Sequence, residues 1–147
     1  GLAMYGGNPV AGEKNPMNPV VSLHLPLLQV HDAGKGETAG YGQTYTFDDD
    51  TKVAVVSAGY ADGLMRSLSN RGALYWKGHR LPIRGRVSMD LIICDLAGVP
   101  ERDYPKPGDY LEMIGPHQSI DDLARDSGTI GYEILTSLGS RYRRVYV

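Results

Sequence analysis

One cysteine, one phenylalanine and one tryptophan stand among 147 residues, against ten tyrosines. The lone thiol, Cys94, allows no intramolecular disulfide and suits a reducing compartment. Inside Leu91-Ile-Ile-Cys-Asp95 it reads as a buried apolar group rather than a nucleophile. No apolar run reaches the ~20 residues of a membrane span, and no basic-then-apolar leader opens the chain, so no membrane partner is expected. Charge of one sign is lacking as well: 15 Lys and Arg oppose 17 Asp and Glu, which gives no reason to expect nucleic acid. His24, His31, His79 and His117 are scattered, without a second His or Cys at ligand spacing, and no metal site is expected. The chain also opens at Gly1 rather than Met, inside what reads as ordered sequence, as a piece of a larger protein would.

What is present suits one domain with a single core. Tyrosine in excess of phenylalanine points to rings at half-wet positions, at an interface or along the wall of a site. Residues 1–6 read as the end of a preceding element. Residues 7–19, with three prolines, three asparagines and two glycines, read as a linker. The domain proper is expected over 20–147. Val20 to His31 reads as an edge strand or as two strands with a bulge, because Pro26 interrupts it. Tyr41 to Phe47 alternates and turns through Asp48-Asp49-Asp50 into Lys52 to Ala58, a hairpin. Lys77-Gly78 marks a second hairpin between Ala73–Trp76 and His79–Ile83. Val87 to Leu96 and Asp109 to Ile114 are further strands. Ser119 caps a short helix that Gly128 stops, and a second runs from about Ile130 to Leu138, capped by Thr129. Arg141 to Val147 returns to strand, with its arginines on a solvated face. Short strands with turns every 8–12 residues predict an all-β fold, a small Greek-key barrel with a late two-helix insertion.

Generic motifs are mostly empty. Gly34-Lys35-Gly36-Glu37 lacks phosphate-loop spacing, and Val55-Val56-Ser57-Ala58-Gly59 lacks the first glycine of a nucleophile elbow. Gly59-Tyr60-Ala61-Asp62-Gly63 differs. Its glycines let the backbone present Tyr60 outward from the end of a buried strand, with Asp62 free to bond the turn. By itself it reads as a strand-ending turn with a surface tyrosine.

The order of segments resolves the choice. Residues 34–63, then Gly78 to Asp90 with Arg84-Gly-Arg-Val-Ser-Met-Asp90, then Ser119 to Leu135 and Arg141 to Tyr146, resemble in one register the C-terminal domain of alanine racemases. Gly1 to Gly6 resembles the tail of that family's cofactor-binding barrel. The resemblance implies a cytoplasmic homodimeric enzyme that interconverts L-alanine and D-alanine with pyridoxal phosphate and supplies D-alanine for bacterial peptidoglycan. The cofactor then sits on a lysine of the preceding (β/α)8 barrel, and the C-terminal domain of one subunit closes over the barrel of the other. Racemisation removes the α-proton from one face and returns it on the other, so two bases are needed, and Tyr60 matches one of them. A tyrosine of ordinary pKa is only ~0.1% ionised at pH 7, so such a base needs a neighbour to take its proton.

Met89 matches the residue that meets the substrate carboxylate. Tyr132, with the backbone of Gly1 and Leu2, matches the group that binds the cofactor phosphate. Arg86 and Ile130 match residues of the substrate corridor, a structural salt bridge being the alternative for Arg86. None of the five lysines sits in the cofactor-lysine context, so this chain alone is expected to be inactive. Gly131 stands where the family often has asparagine. A serine, lysine or arginine racemase would carry the same tyrosine turn, and a non-catalytic barrel used for dimerisation is the non-enzymatic alternative.

Overall fold

The computed structural model describes residues 1–10 and 12–147. Its strands are β1 (Leu23–Ala33), β2 (Thr38–Ala39), β3 (Tyr45–Thr46), β4 (Thr51–Ser57), β5 (Ala73–Trp76), β6 (His79–Arg84), β7 (Leu91–Asp95) and β8 (Tyr110–Ile114). Six of them close a barrel in the order β1-β4-β7-β6-β5-β8, all neighbours antiparallel. Two helices follow, α1 (Ile120–Ser127) and α2 (Gly131–Ser137), so the mainly-β barrel with a late helical pair is as expected.

Closure shapes the details. β1 is eleven residues long because it serves two partners: its first half pairs with β8 and its second with β4. The register shifts between Leu27 and Gln29, a bulge that turns the strand from one neighbour to the next. The bulge was legible at Pro26; an edge strand it is not, since a closed barrel has no edge. Inside lie Leu25, Leu27, Val56, Leu74, Leu81, Ile83, Ile92, Cys94, Leu111 and Met113, all essentially inaccessible. Such alternation of buried and exposed positions is what a two-faced strand requires. Leu123, Ala124 and Ile134 join the same core from the helices.

Three expectations need correction. Tyr41–Phe47 does not form a hairpin with the following strand: only Tyr45–Thr46 is extended, and it pairs with Thr38–Ala39. Gly40, Gly42 and Gln43 all have positive φ, which coils the chain where a strand was expected. The strand expected over Val87–Leu96 begins only at Leu91, because residues 85–90 form the loop that meets the tyrosine turn. Arg141 to Val147 is not a strand. The barrel has already closed between β1 and β8 and offers no free ladder to a further strand.

The helices are built from local signals. The Ser119 Oγ accepts the Asp122 N–H at 3.1 Å, and Asp122 Oδ2 accepts the Ser119 N–H at 3.1 Å, a reciprocal capping box. Gly128, at φ 71°, closes α1. α2 starts one residue later than expected, with Ile130 as its cap. The chain start docks on this pair. Residues 2–5 form a 3₁₀ turn, and the Asn8 N–H donates to Asp121 Oδ2 at 2.8 Å. The described residues of 7–19 form no helix or strand, and Ala11 lies outside them.

Candidate functional site

β4 delivers the tyrosine turn. Its buried Val53, Ala54 and Val56 anchor the strand, and the chain leaves the barrel at Ala58 into a single 3₁₀ turn, Tyr60–Asp62. The loop from β6 to β7 lies alongside. The Tyr60 N–H donates to the Ser88 carbonyl and the Ala61 N–H to the Met89 carbonyl, each at 3.0 Å. Gly59 is obligatory here for space, not for dihedral freedom. A Cβ at that position would lie 2.2 Å from the Met89 carbonyl oxygen and 2.3 Å from that of Ser88. Gly63 is needed for both reasons, with φ 97° and a would-be Cβ 1.9 Å from the Ser137 carbonyl. Tyr60 and Met89 are thereby brought together at one end of the barrel, 48% and 52% exposed. Large side chains left half open beside each other are available to something outside the domain.

Asp62 has gone under the turn. Its Oδ2 accepts the Gly59 N–H at 2.9 Å, and its Oδ1 meets the Arg141 Nε at 3.2 Å. The same guanidinium donates to Asp90 Oδ1 at 2.8 Å. Beside it, the Tyr142 hydroxyl is buried without a hydrogen-bond partner among the described residues, and burial together with the Asp62 carboxylate pushes that phenol up. Sequence reasoning missed Arg141. Its partners lie 79 and 51 positions away along the chain, and only the pair of aspartates after Tyr60 and Met89 hinted at a shared counter-ion.

A second cluster forms where the chain start meets α2. The Leu2 N–H donates to the Tyr132 hydroxyl at 2.8 Å. A Cβ on Gly1 would lie 2.8 Å from that hydroxyl, so the backbone approaches it closely. The Tyr132 oxygen spends a lone pair on Leu2 and keeps its own hydrogen to donate. That phenolic hydrogen is a donor of the kind that suits an anion such as a phosphate. Gly131 allows the packing: a side chain there would press on Leu2 and Ile120. Ile130, 63% exposed, stands next to Tyr132 at the head of α2.

Arg86 lies in the same loop as Met89, against the coil of residues 40–42. It is exposed, its backbone N–H faces Gly40 and its guanidinium lies over Gly42. It takes part in none of the ion pairs among the described residues, so the structural salt bridge allowed by the sequence is not formed. Cys94 is fully enclosed, and burial raises its thiol far above the ordinary range, with Asp95 adding to the effect. Among the described residues no helix is long and apolar enough to cross a membrane.

Comparison with known proteins gives a consistent result. A family model described as alanine racemase, C-terminal domain, matches residues 20–146. A protein of Agrobacterium fabrum named "Alanine racemase, catabolic" is 52% identical over 147 residues, covering 100% of this chain and 38% of its own length. Among solved structures, the alanine racemase of Bartonella henselae with covalently bound pyridoxal phosphate superposes with a TM-score of 0.92 at 42% identity, covering 100% of this chain and 40% of that one. The biosynthetic alanine racemase of Pseudomonas aeruginosa gives 0.92 at 35% identity, covering 100% and 41%. The chain spans about two-fifths of the length of the relatives it matches.

Proposed function

Because the chain belongs to the alanine racemase C-terminal domain family, we propose that it is the domain that supplies the L-face base of a pyridoxal-phosphate-dependent alanine racemase. The observation that carries this reading is the double backbone bond from Tyr60 and Ala61 to Ser88 and Met89. It fixes a phenol and a methionine side by side on an open face of the barrel.

Pyridoxal phosphate, when bound, supplies the electron-withdrawing ring that takes up the pair left behind by the α-proton. This chain's residues do the rest from one side. The Tyr60 oxygen takes the α-proton of L-alanine and returns a proton to the same face in the reverse direction. Met89 orients the substrate carboxylate, and Arg86 with Ile130 lines the path by which alanine arrives. Tyr132, Gly1 and Leu2 would hold the cofactor phosphate through the hydroxyl and the backbone. A fixed proton acceptor within reach of the α-carbon typically contributes ~10²–10⁴-fold to such a step. The other base, the cofactor lysine, belongs to the barrel whose tail residues 1–6 would form, so the chain by itself neither binds the cofactor tightly nor racemises alanine.

The test uses the full-length parent and its Tyr60→Phe variant, each following α-proton exchange of both alanine enantiomers in heavy water. Loss of exchange from L-alanine, with exchange from D-alanine retained, is the expected result. Unchanged exchange from both would make Tyr60 a structural turn residue. Serine, lysine and arginine run in the same assay decide substrate preference.

In the cell we assign the parent to D-alanine supply for peptidoglycan, as a cytoplasmic homodimer. A second physiological reading has an observation behind it, the Agrobacterium fabrum relative named as catabolic. A deletion strain separates the two: D-alanine auxotrophy supports supply, and loss of growth on alanine as sole carbon source supports catabolism.

A further inference from the structure

The start of the chain is tied to both helices, and the tie closes a ring. Asp121, in the first turn of α1, accepts the Asn8 N–H at 2.8 Å and the Asn15 Nδ2 at 3.4 Å, both on Oδ2. Asn15 Nδ2 also donates to the Gly6 carbonyl at 2.9 Å. The Gly7 N–H donates to the Leu2 carbonyl at 3.2 Å, and the Leu2 side chain folds over Gly7 so closely that a Cβ there would lie 2.3 Å from Leu2 Cγ. The Leu2 N–H then reaches the Tyr132 hydroxyl on α2 at 2.8 Å. The path runs from α1 through Asn15, Gly6 and Gly7 to Leu2 and on to α2, which itself packs on α1. Among the described residues Asp121 takes part in no ion pair, so its carboxylate is committed to the N–H groups of the linker.

We propose that Asp121 is a positioning residue for the cofactor-phosphate cluster: it staples Asn8 and Asn15 to α1 and so holds the Leu2 backbone in register with the Tyr132 hydroxyl. This rests on the assignment of Tyr132, Gly1 and Leu2 to the phosphate, and not on which residue takes the α-proton. The Leu2–Tyr132 bond joins two neutral groups at an exposed position and contributes little by itself. Bonds to an ionised carboxylate are roughly twice as strong. Groups that bind a ligand must be held within about 0.5 Å of their working positions, which one exposed bond does not do. The bend to be held is at Gly6, whose φ of 86° belongs to a residue with unusual backbone freedom. The neighbouring Asp122 is already engaged in the Ser119 cap, so the two aspartates of α1 have separate tasks.

The experiment takes the full-length parent freed of cofactor and titrates it with pyridoxal phosphate and with pyridoxal, which lacks the phosphate. Asp121→Ala, Asp121→Asn, Asn15→Ala, Ser119→Ala and Tyr132→Phe are compared, with thermal melting alongside. Asp121→Ala is expected to weaken pyridoxal phosphate binding by ~10-fold and to leave pyridoxal binding as in the parent. Asp121→Asn, which keeps an oxygen for the same N–H groups, recovers most of the affinity. Asn15→Ala gives a smaller loss in the same direction. Ser119→Ala weakens α1 without touching the staple, so it lowers the melting temperature and leaves both affinities alone. Unchanged affinity in Asp121→Ala, equal weakening of both ligands, or losses that simply follow the melting temperature would make Asp121 a structural residue and overturn the proposal. If Tyr132→Phe binds pyridoxal phosphate as the parent does, the phosphate assignment fails first and the role of Asp121 goes with it. If Tyr132→Phe alone weakens binding, the assignment stands and the staple falls. Should Asp121→Ala fail to fold, Asn15→Ala decides, since Asn15 lies outside both helices.

Discussion

At the residue scale the site depends on an absent side chain as much as on a present one. Gly59 has an extended backbone, φ −157°, that any residue could adopt. What excludes other residues is the backbone of Ser88 and Met89 lying where a Cβ would be. Backbone atoms in a paired turn cannot swing aside as a side-chain tip can. Gly59→Ala should therefore separate the turns, cost about 1–3 kcal/mol as overpacking does, and depress L-alanine exchange more than D-alanine exchange. Denaturant midpoints and the exchange assay on the full-length parent would read both. Cys94 makes the opposite case, a reactive group silenced by its setting. Burial holds its thiol protonated at neutral pH, and the side chain has no exposed surface. Iodoacetamide should leave the Cys94 peptide unmodified in the native protein and label it readily in denaturant, as peptide mapping by mass spectrometry would show. The tyrosine turn was legible because glycine, tyrosine and aspartate are contiguous. Arg141 was not, because its meaning lies in two aspartates distant along the chain.

At the element scale, legibility followed the range of the interactions that make each element. α1 is specified within ten residues by Ser119, Asp122 and Gly128, and it was read with its cap and its stop. The hairpin at Lys77-Gly78 is equally local: both residues have positive φ, the turn that matches strand twist. Two of the misread segments, Tyr41–Phe47 and Arg141–Val147, have strand-like composition, but whether they pair is decided by barrel closure elsewhere in the chain. The capping box carries its own prediction. Desolvation alone would raise the Asp122 carboxyl, but hydrogen bonds from Ser119 and the Arg125 guanidinium outweigh it and hold it below the usual range. A carboxylate with a depressed folded-state pKa stabilises at pH values above its unfolded pKa, and that contribution is lost as pH falls through the folded value. Ser119→Ala should cost about 1 kcal/mol at neutral pH. The gap from the parent should narrow below pH 4 as Asp122 takes up its proton in both proteins. Chemical denaturation across that pH range measures it.

At the scale of the whole molecule, no hydrogen bond among the described residues joins the Tyr60–Met89 pair to the cluster of Tyr132, Gly1 and Leu2. Tyr60 and Met89 sit at the exit of β4, and Tyr132 with Gly1 and Leu2 sits at the head of α2. The helix stands between them: its first turn holds the phosphate-type cluster, while Ser137 at its end packs on Gly63. On the proposed reading, a single domain carries part of one site at one place and part of another elsewhere. Two-fold pairing of complete subunits would let the Tyr60 face of one serve the cofactor held by the other, each site then being shared. Mixing subunits tests this sharply. Parent carrying Tyr60→Phe is co-refolded with parent lacking the barrel's cofactor lysine, each inactive alone. If sites are shared, a mixed dimer puts both lesions in one site and leaves the other whole. Random pairing of equal amounts makes half the dimers mixed, so about a quarter of the parent's activity should return. If each site were built within one subunit, every site in every dimer would carry a lesion and no activity would return. Recovery near a quarter thus requires the Tyr60 turn to act across the dimer, and its absence would confine that turn to the subunit that bears it.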